Sequence, residues 1–233
     1  MDYHQIAFEF PNLTVDHAMR NPPIRPGFWR GVNVNQNAVY LECFMDEMAA
    51  AAGRDPLEFR LAHLKNSPKS AAVLKAVAQK SGWGSGDGKS RGLALFHAFG
   101  SYVAACADVT VDGSGDLSIN RIVAATDCGT AVNPQQIEAQ IEGSFVYGLS
   151  AALYGEITYE NGQVQQDNFH TYPSMRIKDM PEVHSIVMPS GGFYGGVGEP
   201  TISVAAPAVL NAIFAATGTR IRTLPLKDQK LRA

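Results

Sequence analysis

Cysteine is scarce: the 233 residues hold three, Cys43, Cys106 and Cys128, which lie far apart and form no CxxC pair. Neither an iron–sulfur cluster nor a structural zinc site can be assembled from such a set. Isolated cysteines of this kind read as small buried hydrophobes in a reducing compartment. The six histidines are scattered, without HxxxH or HExxH spacing. No block of one charge sign exists, and a formal charge of −3 gives no electrostatic reason to expect nucleic acid or an anionic membrane as partner. No apolar run approaches the roughly 20 residues that span a bilayer, so direct membrane insertion is not expected. The opening MDYHQIAFEFPNL lacks a basic stretch leading into an apolar one, and no secretory signal is legible there. The glycine-rich stretch Gly191 to Pro200 carries no Lys-Ser/Thr pair, which argues against a phosphate loop of P-loop type there. What is present is 45% hydrophobic and 18% charged, an ordinary globular balance with length for one large domain or two small ones.

Residues 1 to about 36 are rich in Pro and Asn and read as an irregular lead-in. From Asn37 to Ala52 the apolar residues Tyr40, Phe44, Met48 and Ala51 fall at helical spacing, and Gly53 supplies a stop. Asp55-Pro56-Leu57-Glu58 has the pattern of a helix start, with Asp as N-cap, and turns Leu57, Leu61 and Leu64 toward a core. A third helix is predicted from Pro68 to Lys80, ending near Gly82. The Gly- and Ser-rich stretch Ser81 to Ser90 is the best internal boundary. It divides a mainly helical segment, 1–85, from an α+β domain, 86–233.

Beyond it, Leu93 to Phe99, Val103 to Val111 and Leu117 to Thr126 read as strands, the last two joined by the turn Asp112 to Gly115. Asn133-Pro134 opens a helix with Ile137, Ile141, Phe145, Leu149 and Ala152 on one side. Asn161-Gly162 marks a second hairpin. Val183 to Met188 reads as a strand, and Ile202 to Ala216 as an apolar helix stopped by Gly218. Pro207 either kinks that helix or marks a later start. The fold class expected is α+β, helices mixed with β-hairpins, without the regular βαβ alternation of a doubly wound nucleotide fold.

Three segments carry residues suited to chemistry. In GGFYGGVGEP, Gly191 to Pro200, five glycines among ten residues permit close backbone approach to a bulky ligand and expose N–H groups. Glu199 follows them directly; held in a dry pocket it can accept a proton, or it merely complements the positive end of the next helix. In DCGTAVNPQQIEAQIEGSFVYGL, Asp127 to Leu149, a helix start carries Gln140, whose amide offers donor and acceptor together. Gly143 and Gly148 cost that helix roughly 1 kcal/mol each relative to Ala, which implies close packing by a helix, a strand or a cofactor. In RPGFWRGVNVNQNAVYLECFMDEMA, Arg25 to Ala49, Arg30 either donates a fork of hydrogen bonds to a phosphate or pterin, or stacks on Trp29 at the surface.

Together, and in this order, WRG with NQN and FMDEMA, DCGTAVNP with QIEG, and GVGEP resemble the molybdenum-binding subunit of the xanthine dehydrogenase/aldehyde oxidase family. The similarity is strongest to the bacterial branch of isoquinoline 1-oxidoreductase beta subunits and runs from about Pro23 to Pro225. The resemblance implies the C-terminal half of a molybdopterin-binding domain. It makes Glu199 the catalytic base, Arg30, Gly31 and Gln140 cofactor contacts, and Gly196, Val197 and Gly198 the loop wall beside the metal. The metal would be held by the dithiolene of molybdopterin, in its cytosine dinucleotide form, and by no protein ligand. Glu199 would take a proton as water-derived oxygen is added to an aldehyde or N-heteroaromatic carbon. Electrons would leave to a [2Fe–2S] cluster in a separate iron–sulfur subunit. The compartment implied is the cytoplasm, or the periplasm if a partner carries the export signal.

Two features depart from the family pattern. A GGGFGG-type pterin loop and a Gln-Gly-Gln loop are missing, which implies a split or truncated subunit completed by another molybdopterin-binding chain. Val32 stands where xanthine dehydrogenase has a bulky aromatic, which weighs against a purine sandwiched between rings. The missing loops also keep open a different class of function: a catalytically silent structural or assembly module.

Overall fold

The computed structural model describes residues 6–22 and 24–231; residues 1–5, part of the stretch read for a secretory signal, and Pro23, where the resemblance begins, lie outside them. Strands β1 (Ser90–Ala98), β2 (Ser101–Val111) and β3 (Leu117–Asp127) form an antiparallel meander. The β1–β2 connection is the pair Phe99-Gly100, with φ of +53° and +78°, the geometry of a tight primed turn. At the next turn Asp112 Oδ1 accepts from the N–H of Ser114 (2.8 Å) and of Asp116 (2.9 Å). A short hairpin, β4 (Tyr159–Glu160) with β5 (Gln163–Val164), closes over Asn161-Gly162 as its sequence predicts.

Strand β6 (Glu182–Val187) then pairs parallel to β3, giving the order β1-β2-β3-β6. The strand expected from Val183 to Met188 is in place, and its parallel partner is one that the sequence pattern left unassigned. The chain leaves β3 through a long helix and a loop excursion before it returns, and no local pattern encodes that return.

Helices cover both faces of the sheet, and the alternation along β1 sorts the two cores. Leu93 and Leu95 pack with Met45, Val73, Leu74 and Val77 from the first and third of three N-terminal helices, and with Leu64 just after the second. The three helices are α1 (Val34–Ala51), α2 (Pro56–Ala62) and α3 (Pro68–Ser81). Ala94, Phe96 and Ala98 face α4 (Pro134–Tyr154) and α5 (Ile202–Thr217) on the other side. Full burial of Ile141, Phe145 and Leu149 on α4 contributes roughly 1.5–3 kcal/mol each. Alanines and a glycine on the sheet let α5 come close: a Cβ on Gly92 would sit 2.1 Å from the Ala212 nitrogen.

The predicted caps are in place. Asp55 Oδ1 accepts from the N–H of Leu57 and Glu58, and Asn133 Oδ1 from that of Gln136. Helix α5 runs through Pro207 and ends at Gly218 with φ of +72°. Among the described residues no helix is long and apolar enough to cross a membrane.

One expectation inverts. Tyr40 and Phe44, whose spacing announces α1, are 70% and 56% exposed, while the buried face is Val34, Ala38, Glu42, Met45, Asp46 and Ala49. Two acids are buried there because Arg60 from α2 meets them. Its Nε donates to Glu42 Oε2 (2.9 Å) and its Nη1 to Asp46 Oδ1 (3.4 Å). Arg220 closes the cluster on Asp46 Oδ2 at 2.7 Å. Burial pushes the Glu42 carboxyl up from 4.5 to about 7, against the pull of Arg60.

Candidate functional site

The glycine-rich loop is stitched to one end of the sheet. The Gly195 N–H donates to the Cys128 carbonyl (2.8 Å) and the Gly196 N–H to the Phe99 carbonyl (2.7 Å), while Ser101 Oγ donates to the Gly196 carbonyl (2.6 Å). Ser190 Oγ and the Gly129 N–H both donate to Asp127 Oδ1, at 2.8 and 2.9 Å. Two glycines are required by these backbone-on-backbone contacts: a Cβ on Gly129 would meet the Phe193 carbonyl at 2.1 Å, and one on Gly195 would meet Ser101 Oγ at 2.4 Å. The close approach expected from a ligand is thus made, at Gly195, by the protein itself. The N–H groups of residues 195 and 196 are engaged internally rather than exposed.

Further along the loop the surroundings open. A Cβ on Gly198 would find only Gln140 Oε1, 3.6 Å away. Glu199 precedes α5, and its side chain reaches across to the segment before α1. Oε1 accepts from the N–H of Gly31 at 2.9 Å, across 168 residues of sequence. Among the described residues no ion pair involves Glu199, which is half-buried.

Arg30 completes the junction. Its Nε donates to the Gly198 carbonyl (2.6 Å), and its Nη2 to Gln140 Oε1 (3.0 Å) and Ser144 Oγ (3.2 Å). Its guanidinium also lies 5.6 Å from the centre of the Tyr147 ring, and Trp29 packs on the same ring at 4.6 Å. The surface stack of Trp29 on Arg30 is therefore replaced by contacts of both with α4.

The structure brings Arg30, Gly31, Gln140, Gly198 and Glu199 into one hydrogen-bonded set, with Gly196 and Val197 on the adjoining loop. Ser144, fully buried, belongs to that set, although nothing in its sequence motif singles it out. It accepts from Arg30 and donates to the Gln140 carbonyl at 2.7 Å. Its spacing of one helical turn from Gln140 is the signal that points to it. The two helical glycines separate in meaning. A Cβ on Gly148 would lie 2.8 Å from Ala205 Cβ, so helix packing explains it, whereas the same atom on Gly143 would meet only Arg30, at 4.0 Å.

The residues fit a pterin whose metal needs no protein ligand. Gln140 is exposed and held through its oxygen by Arg30, which leaves its Nε2 as the donor it can present to a pterin edge. No group of three His, Cys, Asp or Glu side chains able to hold a metal ion exists among the described residues.

Residues 31–181 match the molybdopterin cofactor-binding domain family, and the chain belongs to it. Arg30 and the Glu199 loop lie just outside the matched stretch. The chain is 32% identical over 228 residues to the beta chain of isoquinoline 1-oxidoreductase from Brevundimonas diminuta, covering 95% of this chain and 29% of that one. It is also 32% identical to a nicotinate dehydrogenase chain from Pseudomonas putida, with 97% and 21% covered. The chain therefore spans less than a third of the length of these relatives. The aldehyde oxidoreductase of Desulfovibrio desulfuricans shares the fold, with a TM-score of 0.71 over 87% of this chain and 41% of that one, at 14% identity.

Proposed function

We propose that this chain is the part of a molybdenum hydroxylase subunit that carries the proton-accepting carboxylate, Glu199, for oxidation of an aldehyde or N-heteroaromatic carbon. One observation carries the reading: the hydrogen bond from Gly31 to Glu199 Oε1 at 2.9 Å, beside an arginine that grips Gly198 and Gln140. Molybdopterin, when bound, supplies the dithiolene-held metal that takes up electrons and delivers water-derived oxygen. The chain's own residues hold and orient. Gly31 fixes one oxygen of Glu199, and Oε2 is the atom that takes the proton. Arg30 fixes Gln140 for contact with the pterin, and Gly196, Val197 and Gly198 form the wall beside it. Val32, 41% exposed, offers no ring to sandwich a purine, which favours an aldehyde or another N-heterocycle.

In this reading an iron–sulfur subunit with a [2Fe–2S] cluster receives the electrons. Another molybdopterin-binding chain completes the site, and the cofactor is the cytosine dinucleotide form. Residues 1–85 bring the Arg-Gly contact, and residues 86–233 bring Gln140 and Glu199. The complex works in the cytoplasm, or in the periplasm if exported with a partner.

Glu199→Gln in the assembled enzyme is expected to lower turnover roughly 10²–10⁴-fold with molybdenum content unchanged. Turnover close to that of the unaltered enzyme removes Glu199 from the chemistry. The second reading is a catalytically silent structural or assembly module. Metal analysis separates the two: molybdenum bound when the chain is co-expressed with its genomic neighbours supports the enzyme, and none in any combination supports the module.

A further inference from the structure

We propose that Asn35 is a positioning residue: its side chain latches the Arg30–Gly31 peptide in the one orientation that presents an N–H to Glu199. The inference rests on the reading of Glu199 as the base. Asn35 Nδ2 donates to the carbonyl oxygen of Arg30 at 2.9 Å. The N–H of that same peptide unit, on Gly31, donates to Glu199 Oε1, also at 2.9 Å. In a planar trans peptide the C=O and N–H point in opposite directions, so a group that holds one end sets the direction of the other.

The peptide needs such a latch. It lies in a turn where Gly31 has φ of +90° and the β-branched Val32 has φ of +47°, a region that side chain disfavours. Turns of this kind have an alternative in which the central peptide is rotated by about 180°. Rotated, the Arg30 carbonyl would face the Glu199 carboxylate, acceptor against acceptor, and the base would lose its donor.

The fit of Asn35 is close. A Cβ on Gly31 would lie 2.5 Å from Asn35 Nδ2 and 2.6 Å from Oδ1, so only glycine admits the amide there. Oδ1 is itself buried with no hydrogen-bond partner. A buried acceptor without a donor is unfavourable, so overall stability does not account for an amide here, whereas the need for its N–H donor does. The latch stands in the first turn of α1, and two turns further on that helix is pinned by Glu42 and Asp46 to Arg60.

The test reads Gly31 directly. Amide hydrogen exchange of the ¹⁵N-labelled full chain is followed for the wild type, Asn35→Ala, Asn35→Asp and Glu199→Ala. In Asn35→Ala the Gly31 amide should exchange about tenfold faster or more, while amides of β2 and β3 keep their protection. Asn35→Asp keeps the shape but has no donor when ionised, and should behave alike; it carries the test if the alanine variant folds poorly. In the assembled enzyme both variants should lower kcat about tenfold with KM and molybdenum content unchanged. Unchanged Gly31 protection overturns the latch, as does loss of protection spread equally over β2 and β3. The two readings fail separately. A fast Gly31 amide in Asn35→Ala together with full turnover in Glu199→Gln sinks the base, while a protected Gly31 sinks only the latch.

Discussion

Two arginines stand at opposite ends of the α1 region, each near a glutamate, and their settings differ in a way that separates structure from function. Arg60 is fully buried and meets its carboxylates head-on, with Glu42 and Asp46 as partners and the Glu42, Pro56 and Leu93 carbonyls taking its remaining donors. Arg30 is half-exposed and meets only neutral acceptors: the Gly198 carbonyl, Gln140 and Ser144. The nearby Glu199 is held by a peptide N–H instead. Charges removed from water must neutralise one another, because leaving one unpaired costs several kcal/mol. A carboxylate meant to accept a proton has the opposite requirement, since an adjacent guanidinium favours the ionised form and weakens it as a base. Keeping Arg30 on neutral partners lets it hold Gly198 and Gln140 while Glu199 stays free of an ion pair with it.

The contrast breaks most visibly at Arg60. Arg60→Met leaves Glu42 buried without a counter-charge and Asp46 with Arg220 alone. The expected loss of stability is about 3–5 kcal/mol, read as a lower urea midpoint at neutral pH. A loss below about 1 kcal/mol, the worth of an exposed pair, would mean the cluster is not the buried unit described.

Glu42→Gln sharpens the same end. The folded protein holds the Glu42 carboxyl at about 7, whereas an unperturbed carboxyl titrates near 4.5. Between those values the folded state keeps a proton that the unfolded chain has released. Stability therefore falls as pH rises through that window and levels off above it. The variant cannot titrate there, so urea midpoints measured from pH 4.5 to 7 should show a shallower decline than the wild type. Identical slopes would show that Glu42 is not the group responsible.

These clusters also mark where sequence reading works. The caps at Asp55 and Asn133, the meander and the apolar side of α4 are short-range features, and all are where the residues put them. The face of α1 is not, because burial of Glu42 depends on Arg60, 18 residues away, which no window of one helix contains. The parallel pairing of β6 with β3 is likewise a long-range event. At the site, Glu199, Arg30 and Gln140 stand out because each lies in a motif with an unusual density of glycine or polar residues. Ser144 and Asn35 do not, since a small hydroxyl or amide in a helix looks ordinary until its partner is known. Gly195 reads toward a ligand, yet it is the sheet turn at Gly100 and Ser101 that fills the space beside it.

The smallest expected effect is the most discriminating. Arg30→Lys keeps the charge and loses the planar fork, so one ammonium must replace donors that reach three acceptors. Those acceptors are neutral and no buried charge is stranded, so the stability cost should be only about 0.5–1.5 kcal/mol. The Gln140 side-chain amide, released at its oxygen, should lose its defined position, visible as sharpening and faster exchange of its NH₂ resonances. Ser144 keeps its bond to the Gln140 carbonyl, which leaves the helix backbone as an internal reference. If Arg30→Lys instead destabilises the fold as much as Arg60→Met does, while the Gln140 amide stays fixed, Arg30 is a second structural arginine. The two ends of α1 would then be alike, and the case for Arg30 as a cofactor contact would lose its physical basis.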